Sequence, residues 1–181
     1  MIKMKIYGLG GQGVVTAAKI LVQAVAIHEE RYAKSLPAYG HERRGAPIFT
    51  DVMIGDEAIL PNTFVYYPDI VVLFDQSVVS KGVDVTAGAH NNTKLVVNGN
   101  DHQASLLSEG WTDVFLVNAS EIAVQKFCKN IPNSAMLGAI ARTGIVGLTS
   151  IEQAIMNILP EKIAARNVAA AREAYEKTQI I

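Results

Sequence analysis

Gly8-Leu9-Gly10-Gly11-Gln12-Gly13 has the spacing G-x-G-x-x-G, between a stretch that predicts a strand and one that predicts a helix. Glycines at these positions let a backbone turn tightly and approach a ligand, while the amides that open the helix point at an anion. Gly8, Gly10, Gly11, Gln12 and Gly13 are therefore candidates for a phosphate or pyrophosphate cradle. A tight strand-to-helix turn packed against another chain explains the same residues and stays open. A second cationic feature is Arg43-Arg44, between Gly40 and Gly45 in a loop of about ten residues. Paired guanidinium groups grip phosphate or carboxylate in bidentate fashion. Ion pairs at an interface and a solvated surface are the competing uses.

The ligand that these residues suit is phosphorylated. A nicotinamide site wants an Asp or Glu at the end of the second strand, roughly 20 residues past the loop, to hold the ribose hydroxyls. Here that strand ends near Lys34-Ser35-Leu36, Glu29 and Glu30 precede it, and Arg31, Lys34, Arg43 and Arg44 are the groups expected to face a ligand. NADP or the phosphorylated ADP end of coenzyme A fits better than NAD. Other chemistry is missing: no G-x-S-x-G, no P-loop lysine motif, and no metal-ligand spacing among His28, His41, His90 and His102. The chain has one cysteine, Cys128, whereas an iron–sulfur cluster takes about four thiolates. Cys128 is expected to be a buried, inert thiol, and Asp69, Asp75 and Asp101 to serve as caps or turn residues. No residue is assigned a catalytic or metal-binding role.

The elements that must position these residues follow from periodicity. Strands are expected at Ile2–Tyr7, Arg31–Leu36, Ile48–Ile54, Asp69–Asp75, Thr93–Val97 and Val114–Val117. The turn Gly55-Asp56-Glu57 suggests a hairpin between Ile48–Ile54 and Ala58-Ile59-Leu60. Helices are expected at Gly13–Ile27, Ser120–Cys128, Ser134–Arg142 and Ala164–Lys177. Another opens at Thr149-Ser150-Ile151-Glu152, which reads as a capping box, and breaks at Pro160. The strands centred on Val71, Val96 and Phe115 are continuous apolar runs, the pattern of strands buried on both faces of a parallel sheet. The expected fold is one α/β domain over 1–181: three layers, α/β/α, Rossmann-like, with a mostly parallel sheet and an antiparallel edge hairpin.

Hydrophobic residues make up 50% of the 181 and charged residues 18%, against roughly 25% charged for a typical domain. Charge is too sparse to cover the surface, so a large apolar interface is expected, with a homodimer when other chains are absent. A net charge of −1 argues against nucleic-acid binding. No apolar run approaches the ~20 residues of a membrane span, and a cytoplasmic location is the default.

Four ordered segments resemble one family. Gly8-Leu9-Gly10-Gly11-Gln12-Gly13-Val14-Val15-Thr16-Ala17-Ala18 resembles the opening of the γ subunit of 2-oxoacid:ferredoxin oxidoreductases. Leu36-Pro37-Ala38-Tyr39-Gly40-His41-Glu42-Arg43-Arg44-Gly45-Ala46-Pro47 is similar to that family's loop, except that His41 stands where a small or apolar residue is expected. Asn118-Ala119-Ser120-Glu121-Ile122-Ala123 and Met136-Leu137-Gly138-Ala139 resemble its later motifs. The resemblance implies an accessory subunit of an enzyme that oxidatively decarboxylates a 2-oxoacid, pyruvate or a branched-chain acid, to acyl-CoA and reduces ferredoxin. It implies thiamine diphosphate, magnesium and iron–sulfur clusters on partner α, β and ferredoxin-like δ subunits. It leaves to this chain a structural role and a contact with coenzyme A. A stand-alone nucleotide- or CoA-binding regulatory module is the alternative.

Overall fold

The computed structural model describes residues 1–38, 44–100 and 110–181; Tyr39–Arg43, with His41, and 101–109, with Asp101 and His102, lie outside the described residues. Seven strands form one sheet: β1 Ile2–Leu9, β2 Tyr32–Pro37, β3 Pro47–Gly55, β4 Ile70–Leu73, β5 Lys94–Asn98, β6 Val114–Val117 and β7 Gln179–Ile180. Their order is β2-β3-β1-β4-β5-β6-β7. β1 is parallel to β4, β4 to β5 and β5 to β6, while β3 and β7 run the opposite way. Five strands therefore share one direction, as the apolar runs of β4, β5 and β6 required. All four residues of β4 and all four of β6 are buried.

An antiparallel pair does form the edge, but its partners are β2 and β3. Residues 58–60 form no strand, because the face of β3 that they were expected to pair with is held by β1 over Ile2–Leu9. The chain instead crosses the sheet at Val65. There the Asp51 carboxylate accepts from the Val65 amide at 2.6 Å, and the Lys5 ammonium donates to its carbonyl at 2.8 Å. Lys5 and Asp51 face each other across β1 and β3, 3.0 Å apart, with the Asp51 side chain fully buried.

Helices α1 Val14–Gln23, α3 Ala119–Phe127, α4 Asn133–Arg142, α5 Leu148–Ile158 and α6 Glu161–Lys177 pack on one face around Met4, Ile6, Ile20, Leu21, Met136 and Ile140. The short α2, Ser77–Ser80, lies on the other, where Val78 joins Tyr7, Val71, Leu73 and Leu95. α1 runs on into a wider π turn at Ala24–His28. Among the described residues no helix is long and apolar enough to cross a membrane.

Two local expectations fail, the first for a tertiary reason and the second for a local one. The capping box at Thr149–Glu152 does not form: α5 begins after Gly147 with no side-chain cap. Glu152 instead takes both oxygens to Arg172 on α6, at 2.9 and 3.0 Å. Glu29 accepts from the Gly147 amide at 2.6 Å. Cys128 is exposed, not buried. It closes α3 in the left-handed conformation, φ 55°, so its side chain leaves the helix's buried stripe.

Candidate functional site

The glycine loop joins β1 to α1 where the chain order reverses: β2 and β3 lie on one side of β1, β4 on the other. In open α/β sheets the crevice beyond the strand carboxyl ends at such a point is where ligands bind. The loop is built from within. The Leu9 amide donates to Gln12 Oε1 at 2.8 Å, and Gln12 Nε2 donates to Asp75 Oδ2 at 2.7 Å. Asp75 Oδ1 accepts from the Ser77 amide at 2.9 Å, the turn role expected of it. The buried Gln12 side chain thus braces the loop against the end of β4 and directs its polar atoms to protein partners.

The glycines divide by surroundings. Gly8 lies inside β1, where a Cβ would stand 2.6 Å from Val14 Cγ2 and 3.0 Å from Phe74 Cβ, so it admits the helix close to the strand. The Gly10 amide donates to the Ala46 carbonyl, and the Gly10 carbonyl accepts from the Gly45 amide, at 2.9 and 3.0 Å. These two bonds dock the loop that follows β2 onto the glycine turn. Gly11 and Gly13 have φ of 96° and 81°, a region open to glycine at little cost. Gly13 is the N-cap of α1.

A cleft of about 540 Å³ is lined by Gly10, Gly11, Gly13, Val14, Val15, Thr16, Arg44 and Ile48. No carboxylate is among these residues. The amides of Val14, Val15 and Thr16 donate to no backbone acceptor among the described residues, and the first such bond runs from Ala17 to Gly13. The Arg44 side chain lies along Gly11, with Cγ and Nε 3.5 and 3.8 Å from where a Gly11 Cβ would be. Arg44 is exposed and pairs with no carboxylate among the described residues. Free amides at the start of a ten-residue helix plus one unpaired cation suit an anion.

Arg43 lies outside the described residues. Arg31 and Lys34 do not reach this cleft. Arg31 precedes β2, at the sheet end where Tyr32 registers with Gly55 and Ile2 with Ile54. There it pairs with Asp56 at 2.9 Å and Glu29 at 3.4 Å and donates to the Ile145 carbonyl. Lys34 donates to the Pro61 carbonyl. Among the described residues no three His, Cys, Asp or Glu side chains cluster at metal-binding distance.

One residue at the loop carries no local signal. Asn133, the first residue of α4, packs against Gly13: its Nδ2, Cβ and Cγ lie 2.8, 3.0 and 3.1 Å from the position of a Gly13 Cβ. Only the fold brings it there, from 120 residues along the chain.

A family model described as pyruvate ferredoxin/flavodoxin oxidoreductase matches residues 3–177. The chain belongs to this family. Within it, the pyruvate/ketoisovalerate oxidoreductases common subunit gamma of Pyrococcus abyssi is 40% identical, over 99% of this chain and 98% of that one. The solved pyruvate oxidoreductase subunit PORC of Thermotoga maritima superposes with a TM-score of 0.83 at 33% identity, over 99% and 97% of the two chains. The fold also recurs in a solved 2-oxoglutarate:ferredoxin oxidoreductase from Magnetococcus marinus with 2-oxoglutarate, coenzyme A and succinyl-CoA bound. That match has a TM-score of 0.75 at 17% identity and covers 97% of this chain but 31% of the larger one. This family's likeness, read first from four short segments, therefore extends along the whole chain.

Proposed function

We propose that this chain is the γ-type accessory subunit of a 2-oxoacid:ferredoxin oxidoreductase. The assembled enzyme takes pyruvate or a branched-chain 2-oxoacid and coenzyme A to acyl-CoA and carbon dioxide, with the electrons passing to ferredoxin. The observation that carries this reading is the end-to-end likeness to a chain named as a common gamma subunit. Thiamine diphosphate, magnesium and the iron–sulfur clusters belong to the partner α, β and ferredoxin-like δ subunits, since a single cysteine cannot ligate a cluster. Exposed Leu60, Tyr66 and Tyr67, at 86%, 70% and 70%, support a chain that works inside an assembly and pairs with its own copy when isolated.

Within the assembly, Gly8, Gly10, Gly11, Gln12 and Gly13 form the turn, and Arg43 and Arg44 supply the charge, of a site for coenzyme A phosphate. Gly8 and Gln12 shape the turn; the amides from Val14 to Thr16 and the guanidinium groups contact the anion. The chemistry of the cleft fits, because its polar groups are donors. Coenzyme A supplies the acyl-accepting thiol, and this chain holds the distant, charged end. The test is Arg43→Ala and Arg44→Ala in the complete enzyme. A charge-assisted hydrogen bond is worth roughly 1.5–3 kcal/mol, so apparent coenzyme A affinity is expected to fall about 10- to 100-fold with 2-oxoacid affinity unchanged. Loss of assembly with both affinities would assign the arginines to an interface. Wild-type behaviour of both variants refutes the site.

A further inference from the structure

We infer that this chain meets its own copy through the free edge of β2, strand against strand, so that the two sheets join into one across a two-fold axis. The inference rests on the reading that the isolated chain pairs with itself, and it supplies the surface and the register.

β2, Tyr32–Pro37, is the last strand on its side of the sheet. Which of its backbone groups are free follows from β3. The Gly10 amide donates to the Ala46 carbonyl, so the β3 residues in step with Ala46 bond to β1, and those between them, Phe49, Asp51, Met53 and Gly55, bond to β2. The Ala38 amide, which donates to the Phe49 carbonyl, agrees. Tyr32, Lys34 and Leu36 therefore bond to β3 at Gly55, Met53 and Asp51. The amides and carbonyls of Ala33 and Ser35 point outward, with the Pro37 carbonyl. Neither amide donates to a backbone group elsewhere among the described residues. Donors and acceptors repeating every second residue along one line match the backbone of another extended strand.

Native edges are guarded by charge, bulges or shortness. β2 holds one charged residue, Lys34, and its ammonium is turned onto the Pro61 carbonyl of its own chain, 3.1 Å away. That bond places the next residue, exposed Leu60, near the edge, and half-exposed Tyr32 lies at the start of the strand. The opposite edge, β7, is two residues long.

A second copy is the occupant because β2 is complementary to itself. With Ser35 on the two-fold axis, each Ser35 amide donates to the partner's Ser35 carbonyl. Each Ala33 amide donates to the partner's Pro37 carbonyl, where proline, having no N–H, leaves no donor unmatched. Four hydrogen bonds close the pair. Lys34 falls opposite the partner's Leu36, whereas a register with Lys34 on the axis would set two like charges face to face, which is destabilising.

The experiment follows amide hydrogen exchange of the full-length chain by NMR across the concentration range in which sedimentation shows it to dimerise. The amides of Ala33 and Ser35 are expected to exchange fast in dilute solution and to slow by at least tenfold as the dimer fills. Those of Lys34 and Leu36, bonded to β3, are expected to be slow throughout. Ser35→Pro removes only an outward donor, on an edge strand where proline is tolerated, and two of the four bonds go with it. Dimerisation is expected to weaken about 10- to 30-fold with melting of the monomer little changed. If that variant fails to fold, Ser35→Cys on a Cys128→Ser background replaces it. Its two thiols lie on backbones about 5.5 Å apart in the proposed register, so a short bis-maleimide should link the dimer. A dimer in which Ala33 and Ser35 still exchange fast, or in which the Ser35→Cys thiols are not linked, sits on another surface; the edge is then refuted while self-pairing stands. A chain that stays monomeric at every concentration refutes both.

Discussion

Gly13 and Gly45 share a φ of 81°, but Gly45 has no atom within 4 Å of a would-be Cβ, whereas Gly13 has Asn133 within 3.1 Å. Gly45→Ala should therefore cost only the backbone term, about 1–2 kcal/mol. Gly13→Ala should cost about 1–3 kcal/mol more from overpacking. Urea denaturation of the two variants beside wild type measures the difference, and equal losses would show that the Asn133 contact is soft. Cys128 gives a second check at this scale. Its exposure predicts that one thiol per chain reacts promptly with a disulfide reagent under native conditions, at the rate found in denaturant to within the effect of local charge. Slow native labelling would restore the buried thiol that the sequence suggested. These residues also mark what a sequence discloses. The glycine loop was legible because its chemistry is local: six consecutive residues state a turn, a helix start and a close approach. Cys128 misled because a free cysteine is usually buried, while its own left-handed backbone at the end of α3 turns it outward. Asn133 was not legible, since its role depends on a glycine 120 positions away.

Between elements, close approach matters more than periodicity. Gly138, in the Met136-Leu137-Gly138-Ala139 segment, faces α6, where a Cβ would stand 1.9 Å from the Ala171 carbonyl oxygen. The segment is therefore a packing device that lets two helix backbones touch. Gly138→Ala is expected to destabilise by about 3 kcal/mol, near the upper end for overpacking, and to expose α6 to hydrogen exchange before the rest of the chain. Charge adds a weaker tie between α3 and α6. Glu173 bonds Lys126 and Lys177, each at 2.7 Å, and these bonds, Lys126 first, hold its carboxyl below the ordinary carboxylate range. A lowered native value means that the contribution is complete above the ordinary range and is lost as pH falls through the native value. Glu173→Gln should then cost well under about 1 kcal/mol at neutral pH in low salt. The difference should vanish in strong acid and shrink in high salt, both read from denaturant midpoints. Periodicity located α3 to α6 within a few residues, but it could not foresee that Glu152 would prefer Arg172 to its own helix start. Nor could it say that β1, not residues 58–60, would take the inner side of β3. Each outcome turns on a partner far away in sequence.

For the whole molecule, the sheet order sets the division of labour. Placing β2 and β3 on one side of β1 and β4 to β6 on the other opens the crevice at the glycine loop, and the groups offered there are the amides that open α1 and Arg44. The site proposed above uses these groups to hold an anion and leaves the redox chemistry to partner chains. The electron path of such an enzyme needs clusters with about four thiolate ligands each, and this chain brings one thiol, on its surface. Even a chain dimerised through its exposed apolar side chains brings two, still short of a cluster. The expected outcome is that the purified chain is colourless and turns over no pyruvate with coenzyme A and a dye acceptor. Supplying the α, β and δ chains should then restore turnover that saturates with this subunit at a fixed stoichiometry. Iron–sulfur absorbance or 2-oxoacid oxidation by the isolated chain would overturn the assignment of those functions to partners. Full activity of the other chains without it would remove the accessory role itself.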